Sequence, residues 1–236
     1  MASRVERGIV GCGLAVALLG GCGDGPGSAQ ESTAAVVPSS LSVVVERADR
    51  ARVRGAEEAP VRLVEISDFQ CPFCAQFFHE TYAALDSLYV QTGKVSYVWI
   101  SFPNPSHPYA WPAIEAAFCA GTVGKFWQMH DLLFERQKEW SEAAAPAPVF
   151  AGYARELNID ADSYTECLDN DRVAQLQVRD YQSAIRAGIN STPFFILADS
   201  VAIRGAAPLE NFQKAIDDIL AALEEEKSED GGGGGR

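Results

Sequence analysis

The chain is poor in basic charge. Its 19 Lys and Arg stand against 32 Asp and Glu, for a net charge of −13, and no block of Lys or Arg interrupts that balance. A balance of this sign argues against nucleic acid as a partner, since its phosphates need a basic surface. Methionine and histidine are also scarce, with 2 and 3 copies. Beyond Met1 the one methionine is Met129, far in sequence from any cysteine, which argues against a soft copper site of clustered Met or His. No internal repeat is visible, so solenoids and propellers drop out. The longest purely apolar or small run near the N-terminus, residues 9–19, is too short to span a bilayer stably.

What is present begins with a leader. Arg4 and Arg7 precede that apolar run, the pattern of a secretory signal. The run ends in Leu19-Gly20-Gly21-Cys22, which resembles a bacterial lipobox and implies lipidation of Cys22; an ordinary cleaved signal peptide is the alternative. The reading is a lipoprotein-type signal over 1–21 and a tether over 22–42, whose Gly, Ser, Ala, Pro and Thr cannot bury a core. The Glu-rich and "GGGGGR" end gives a disordered tail over 227–236. Such a protein would be lipid-anchored on the extracytoplasmic side of a bacterial cell envelope.

Export changes the meaning of the cysteines. Cys12 leaves with the signal and Cys22 takes the lipid, so Cys71, Cys74, Cys119 and Cys167 remain. Four cysteines in an oxidising compartment suggest two disulfides. Of the three pairings, spacing favours Cys71 with Cys74 and Cys119 with Cys167.

Residues 61–66 ("VRLVEI") read as a strand and 71–92 as a helix, with Phe78, Tyr82, Leu85 and Tyr89 at helical spacing and Gly93 past its end. Residues 95–102 ("VSYVWISF") return to strand character, so a parallel β-α-β unit is expected. About eighty helical residues follow, with one amphipathic helix over 126–137, Asp160 or Asp162 capping the segment that carries Cys167, and a longer helix from about 172 to 187. "STPFFIL" and "VAIRG" then look like a hairpin, and a last amphipathic helix uses Leu209, Phe212, Ile216 and Leu220. The expected class is α/β: one α/β layer from 43–104 and 189–226, interrupted by a helical insertion over 105–188.

The strand-to-helix junction is where the chemistry falls. Cys71 opens the helix with Pro72 at its first turn, so orphan N–H groups and the helix dipole favour a thiolate there. Cys74, one turn on, is placed to resolve a mixed disulfide. A zinc knuckle lacks further ligands at knuckle spacing, and no metal is assigned; a purely structural local disulfide stays open.

The stretches "VRLVEISDFQCPFCAQF", "CAGTVGKFWQMHDLLFERQ" and "AGINSTPFFIL", in that order, resemble the active-site entry, helical insertion and cis-proline segment of DsbA-like thioredoxin-fold oxidoreductases. The resemblance covers about 53–223 and implies a thioredoxin-like fold with a helical insertion. It places the redox pair on Cys71 and Cys74 and a cis-proline on Pro193, with the backbone of Thr192 pairing to substrate. It matches Glu65 to a partly buried acid that exchanges a proton with Cys74, although the alternation of Leu63 and Glu65 leaves the face of Glu65 open. It puts a second cysteine pair on Cys119 and Cys167.

The implied activity is thiol-disulfide exchange with cysteines of exported proteins, as a disulfide-forming oxidase, by a monomer. No cofactor is needed beyond the dithiol, which a quinone-linked membrane thiol oxidase of the DsbB or VKOR kind would reoxidise. Phe73 offers no polar side chain to the thiolate, so a reductase or isomerase remains the alternative in the class. Outside it stands a non-catalytic envelope lipoprotein that holds a metal or peptide. His79, His107 and His130 are read as surface or packing residues.

Overall fold

The computed structural model describes residues 40–231. The expected signal over 1–21, the lipidation of Cys22, most of the 22–42 tether and residues 232–236 lie outside the described residues.

A five-stranded sheet has the order β1-β3-β2-β4-β5. Strands β2 (Val61–Ser67) and β3 (Val95–Ser101) are parallel, with Glu65 opposite Trp99. Between them runs the active-site helix, α-helical in α2 (Pro72–Phe77) and α3 (Ala83–Leu85), with π-helical turns over Phe78–Tyr82 and Asp86–Val90. Gly93, at φ +76°, takes the left-handed conformation that ends this helix at little steric cost. Strands β4 (Phe194–Leu197) and β5 (Val201–Arg204) form the expected hairpin, and β4 lies antiparallel to β2.

Both faces of the sheet are covered, so its central strand is not amphipathic. From Leu63 to Ser67 every residue of β2 is buried, the pattern of a strand sandwiched between layers. Leu63 packs with Phe77, Leu85, Phe195 and Phe212 on one face, and Val64 and Ile66 with Ala184 and Ile189 on the other. The outer cover of the first face is α10 (Leu209–Gly231).

The helical block contains α4 (Ala110–Gly121), α5 (Phe126–Glu135), α6 (Gln137–Ser141), α7 (Ala147–Glu156), α8 (Ala161–Asp169) and α9 (Ala174–Arg186). Asp160 caps α8, its carboxylate accepting the Ser163 N–H at 2.9 Å. Its own core joins Phe118, Phe126, Leu133, Trp140 and Phe150 to Cys71 and Cys74.

Three features differ from the sequence reading. Helix α1 (Ser40–Ala51) starts within the stretch read as tether and buries Ala48 against the insertion. It leads into β1 (Val53–Arg54), which pairs with β3. Helix α10 continues past 226 to Gly231, since the Glu- and Lys-rich stretch after Leu223 retains helix-forming residues. The expected helix over 126–137 breaks at Arg136, whose φ of −113° and ψ of 28° leave the helical region.

Candidate active site

Strand β2 ends at Ser67, and the chain turns through Asp68, Phe69 and Gln70 into the helix. The Cys71 N–H donates to the Asp68 carbonyl at 3.0 Å, and the Gln70 N–H to Asp68 Oδ1 at 2.8 Å. Cys71 is the N-cap, extended at φ −71° and ψ 124°, and Pro72 opens the helix. The Gln137 side-chain amide, from α6, donates to the Phe69 carbonyl at 2.7 Å and the Cys71 carbonyl at 3.0 Å. The insertion therefore straps the turn that presents the thiol.

Both thiols are free and buried, Cys71 with 4% of its surface exposed and Cys74 with none. A hydrogen bond from Cys74 is the main cause that holds the Cys71 thiol down at about 6. Burial opposes it, while the Thr192 side chain and the backbone N–H groups of Phe73 and Cys74 add to it. The Cys74 thiol is pushed far up, first by burial, then by Cys71 and the negative charge of Glu65. Two thiols three residues apart thus have opposite characters, one a ready thiolate and the other a held proton.

The Thr192–Pro193 peptide is cis. Because β4 starts at Phe194, opposite Ile66, this loop comes down beside the end of β2, and Cys71 Sγ lies 3.6 Å from the Thr192 carbonyl oxygen. The Pro193 carbonyl accepts the Gly205 N–H at 2.9 Å, which ties the loop to the end of β5.

Glu65 points inward and is 1% exposed. Burial raises its carboxyl pKa, against the charge of His130 and hydrogen bonds with Tyr97 and Ser67. The Tyr97 hydroxyl donates to Oε2, and Oε1 has no hydrogen-bond partner in the protein. His130 is buried in an aromatic box, 4.9 Å from Trp127, 5.0 Å from Phe134 and 5.6 Å from Phe69 between ring centroids.

Cys119 and Cys167 form a disulfide between α4 and α8 with a Cα–Cα distance of 5.8 Å. Among the described residues no group of three or more His, Cys, Asp or Glu is arranged to hold a metal ion.

Sequence reasoning brought together Cys71, Cys74, Glu65 and the Thr192–Pro193 loop, and the structure places all of them around one turn. It passed over Tyr97, Gln137 and the pair Asp68–His107. Here His107 Nδ1 lies 2.6 Å from the carboxylate of a fully buried Asp68. An Asp three residues before the first cysteine was the available signal for that pair. Nothing local marked Tyr97 or Gln137, which reach the site from β3 and α6.

A thioredoxin family model matches residues 47–218. Among solved structures, α-DsbA1 of Wolbachia pipientis superposes with a TM-score of 0.67 at 20% identity, covering 74% of this chain and 93% of that one. BdbD of Bacillus subtilis, in its oxidised form, gives 0.65 at 22%, covering 72% and 92%. The DsbA of Chlamydia trachomatis gives 0.60 at 19%, covering 72% and 92%. These likenesses show the fold. Among curated sequences, the Na(+)/H(+) antiporter NhaA 1 of Salinispora arenicola is 40% identical over 150 residues, which are 63% of this chain and 22% of that protein. The match thus spans about a fifth of that relative's length, and among the described residues no helix is long and apolar enough to cross a membrane.

Proposed function

The chain belongs to the thioredoxin family, with a DsbA-like fold, and on that premise we propose that it is an exported thiol-disulfide oxidoreductase that forms disulfides in other extracytoplasmic proteins. The carrying observation is the contrast within the pair: a Cys71 thiol held at about 6 beside a Cys74 thiol pushed far up. A low-pKa thiolate is a good leaving group, and stabilising it stabilises the reduced enzyme, which makes the disulfide oxidising.

In the forward reaction a substrate thiolate attacks the Cys71 sulfur of the Cys71–Cys74 disulfide. The S–S bond breaks and Cys74 leaves with the electron pair. Glu65, buried and acting electrostatically on Cys74, protonates it and regains its proton later. A second substrate thiolate then attacks the substrate sulfur of the mixed disulfide and releases Cys71 as thiolate. The substrate has lost two electrons and the enzyme has gained them. The dithiol carries those electrons, so no separate cofactor is assigned.

Thr192 and Pro193 would hold an extended substrate peptide by main-chain pairing beside Cys71. A cleft of about 610 Å³ next to it, lined by Pro72, Ala75, His79, Phe134 and Gln137, gives that peptide room. Cys119–Cys167 serves as a structural disulfide of the insertion. Lipidation at Cys22, monomeric action on the outer face of the bacterial membrane, and reoxidation by a quinone-linked membrane thiol oxidase belong to the same reading.

The test is a redox titration of Cys71–Cys74 against glutathione. A potential near about −120 mV supports the oxidase, whereas one near about −270 mV turns the reading to a reductase. A pair that does not exchange at all sinks the enzyme reading and leaves the binding lipoprotein.

A further inference from the structure

The loop between β3 and α4 carries an ion pair that the exchange reaction above does not use. Asp68 is fully buried and stands three residues before Cys71. Its Oδ2 accepts the Asn104 N–H at 2.9 Å and faces His107 Nδ1 at 2.6 Å. Its backbone carbonyl accepts the Cys71 N–H at 3.0 Å. One residue therefore holds the nucleophile by its main chain and an imidazole by its side chain.

The loop is fixed at further points. The Gln70 side-chain oxygen accepts the Tyr109 N–H at 2.7 Å. The His107 N–H donates to the Asn104 carbonyl at 2.9 Å, and the Ala110 N–H to the His107 carbonyl at 3.2 Å. The His107 backbone is thus fixed on both sides, and its side chain, a fifth exposed, reaches Asp68.

The electrostatics explain why a cation is useful here. A buried carboxylate on the residue whose carbonyl holds the Cys71 N–H leaves a negative charge in the turn that presents the sulfur, and a like charge disfavours a second one nearby. The side chain between the cysteines offers no polar group, since Phe73 is apolar and 59% exposed. His107 is a cation whose charge interacts with those of Asp68 and Cys71. Its hydrogen bond to Asp68 raises its pKa against the opposing effect of burial, and the charges of Asp68 and Cys71 raise it further. These two are the titratable groups that act on it.

We propose that His107, clamped by Asp68, is a positioning cation that cancels the buried carboxylate and stabilises the Cys71 thiolate, setting the reduction potential from outside the CxxC. The inference rests on the redox reading of the pair.

Two substitutions in the full chain separate charge from structure. His107→Gln keeps a donor for Asp68 without the charge, and His107→Lys keeps the charge without the ring. Thiolate absorbance against pH and the equilibrium with glutathione are read for each. His107→Gln should raise the Cys71 midpoint and shift the glutathione equilibrium roughly three- to tenfold toward the disulfide, where tenfold corresponds to about 30 mV. His107→Lys should stay within about twofold of the parent, because the charge it retains is what acts on the sulfur. If His107→Gln leaves both readings unmoved, or if His107→Lys shifts them as far as His107→Gln, the inference is overturned while the oxidoreductase reading stands. If the parent pair never equilibrates with glutathione, that reading fails first and takes the inference with it.

Discussion

The sharpest consequence of the site is a proton that leaves Cys71 well below the usual thiol range. A thiol that ordinarily titrates near 9.0 is held down at about 6 in the folded, reduced protein. A group whose folded pKa is depressed contributes stability that is present above its unfolded value and lost as pH falls through the folded one. Integrating between 9 and 6 gives about 1.4 kcal/mol of extra stability for the reduced fold at pH 7, rising toward about 4 kcal/mol above pH 9 and vanishing below about pH 5. At pH 7 Cys74 is protonated both folded and unfolded, since its pKa is raised, so it does not cancel this gain. The same free energy favours the dithiol over the disulfide, about tenfold at pH 7. The assay is thiolate absorbance on reduced protein from about pH 4 to 9, with Cys71→Ser as the blank, beside urea unfolding of the reduced and oxidised forms. A single titration near pH 6 that Cys71→Ser abolishes is expected, together with a reduced form whose advantage fades as the pH drops. A midpoint at or above about 8 would refute the reasoning, because the helix-start and Cys74 hydrogen bonds would then be too weak to matter.

Other consequences follow from the neighbouring residues. Glu65→Gln should slow thiol exchange and also remove a stability loss that the parent shows as pH rises from about 4.5, because a buried acid with a raised pKa destabilises the fold once the unfolded chain ionises; parallel stability-versus-pH curves for the two proteins would count against a buried, titrating Glu65. Replacing Cys119 and Cys167 by Ala opens a loop of 48-residue separation, and the chain-entropy relation puts the cost at about 4 kcal/mol. Urea midpoints should fall by roughly 1.5 M for a chain of this size, and a loss below about 1 kcal/mol would show that the cross-link does not constrain the unfolded state. Gln137→Ala leaves the Phe69 carbonyl without the donor that Gln137 supplies, for about 1–2 kcal/mol of stability, measurable by the same unfolding and with the Cys71 midpoint nearly unchanged.

The elements that carry the chemistry were legible because their signals are local. A strand, a CxxC at a helix start, a later strand and an S-T-P-F-F run gave the β-α-β unit, the hairpin and the two thiols. Glu65 was legible as a residue but not as an orientation. Alternation reports a face only when one side of a strand meets water, and here β2 is buried on both sides from Leu63 onward. Helix α1 was missed because the residues that justify it, Val44, Val45 and Ala48, pack against helices distant in sequence. Tyr97, Gln137 and His107 act on the site across separations of 32, 66 and 39 residues, and no local pattern encodes such contacts.

These distant contacts divide the work between the two sides of the cysteine pair. Glu65 and Tyr97, both buried and hydrogen-bonded to one another, form a polar group that acts electrostatically on Cys74 and in which a proton can be held but a full charge is costly. Beside Cys71, Asp68 and His107 form an ion pair in contact with solvent through the imidazole, where charge is cheap to keep. The reaction needs both: a sulfur that stays anionic when it leaves and another that takes up a proton when it leaves. Exchanging the two environments would give a protonated nucleophile and a stranded buried thiolate, so on the proposed roles the contrast between the two sides of the pair would set which cysteine meets the substrate. Substituting Cys71 should therefore abolish mixed-disulfide formation, whereas Cys74→Ser should trap it; trapping on Cys74 in a Cys71→Ser protein would contradict this division.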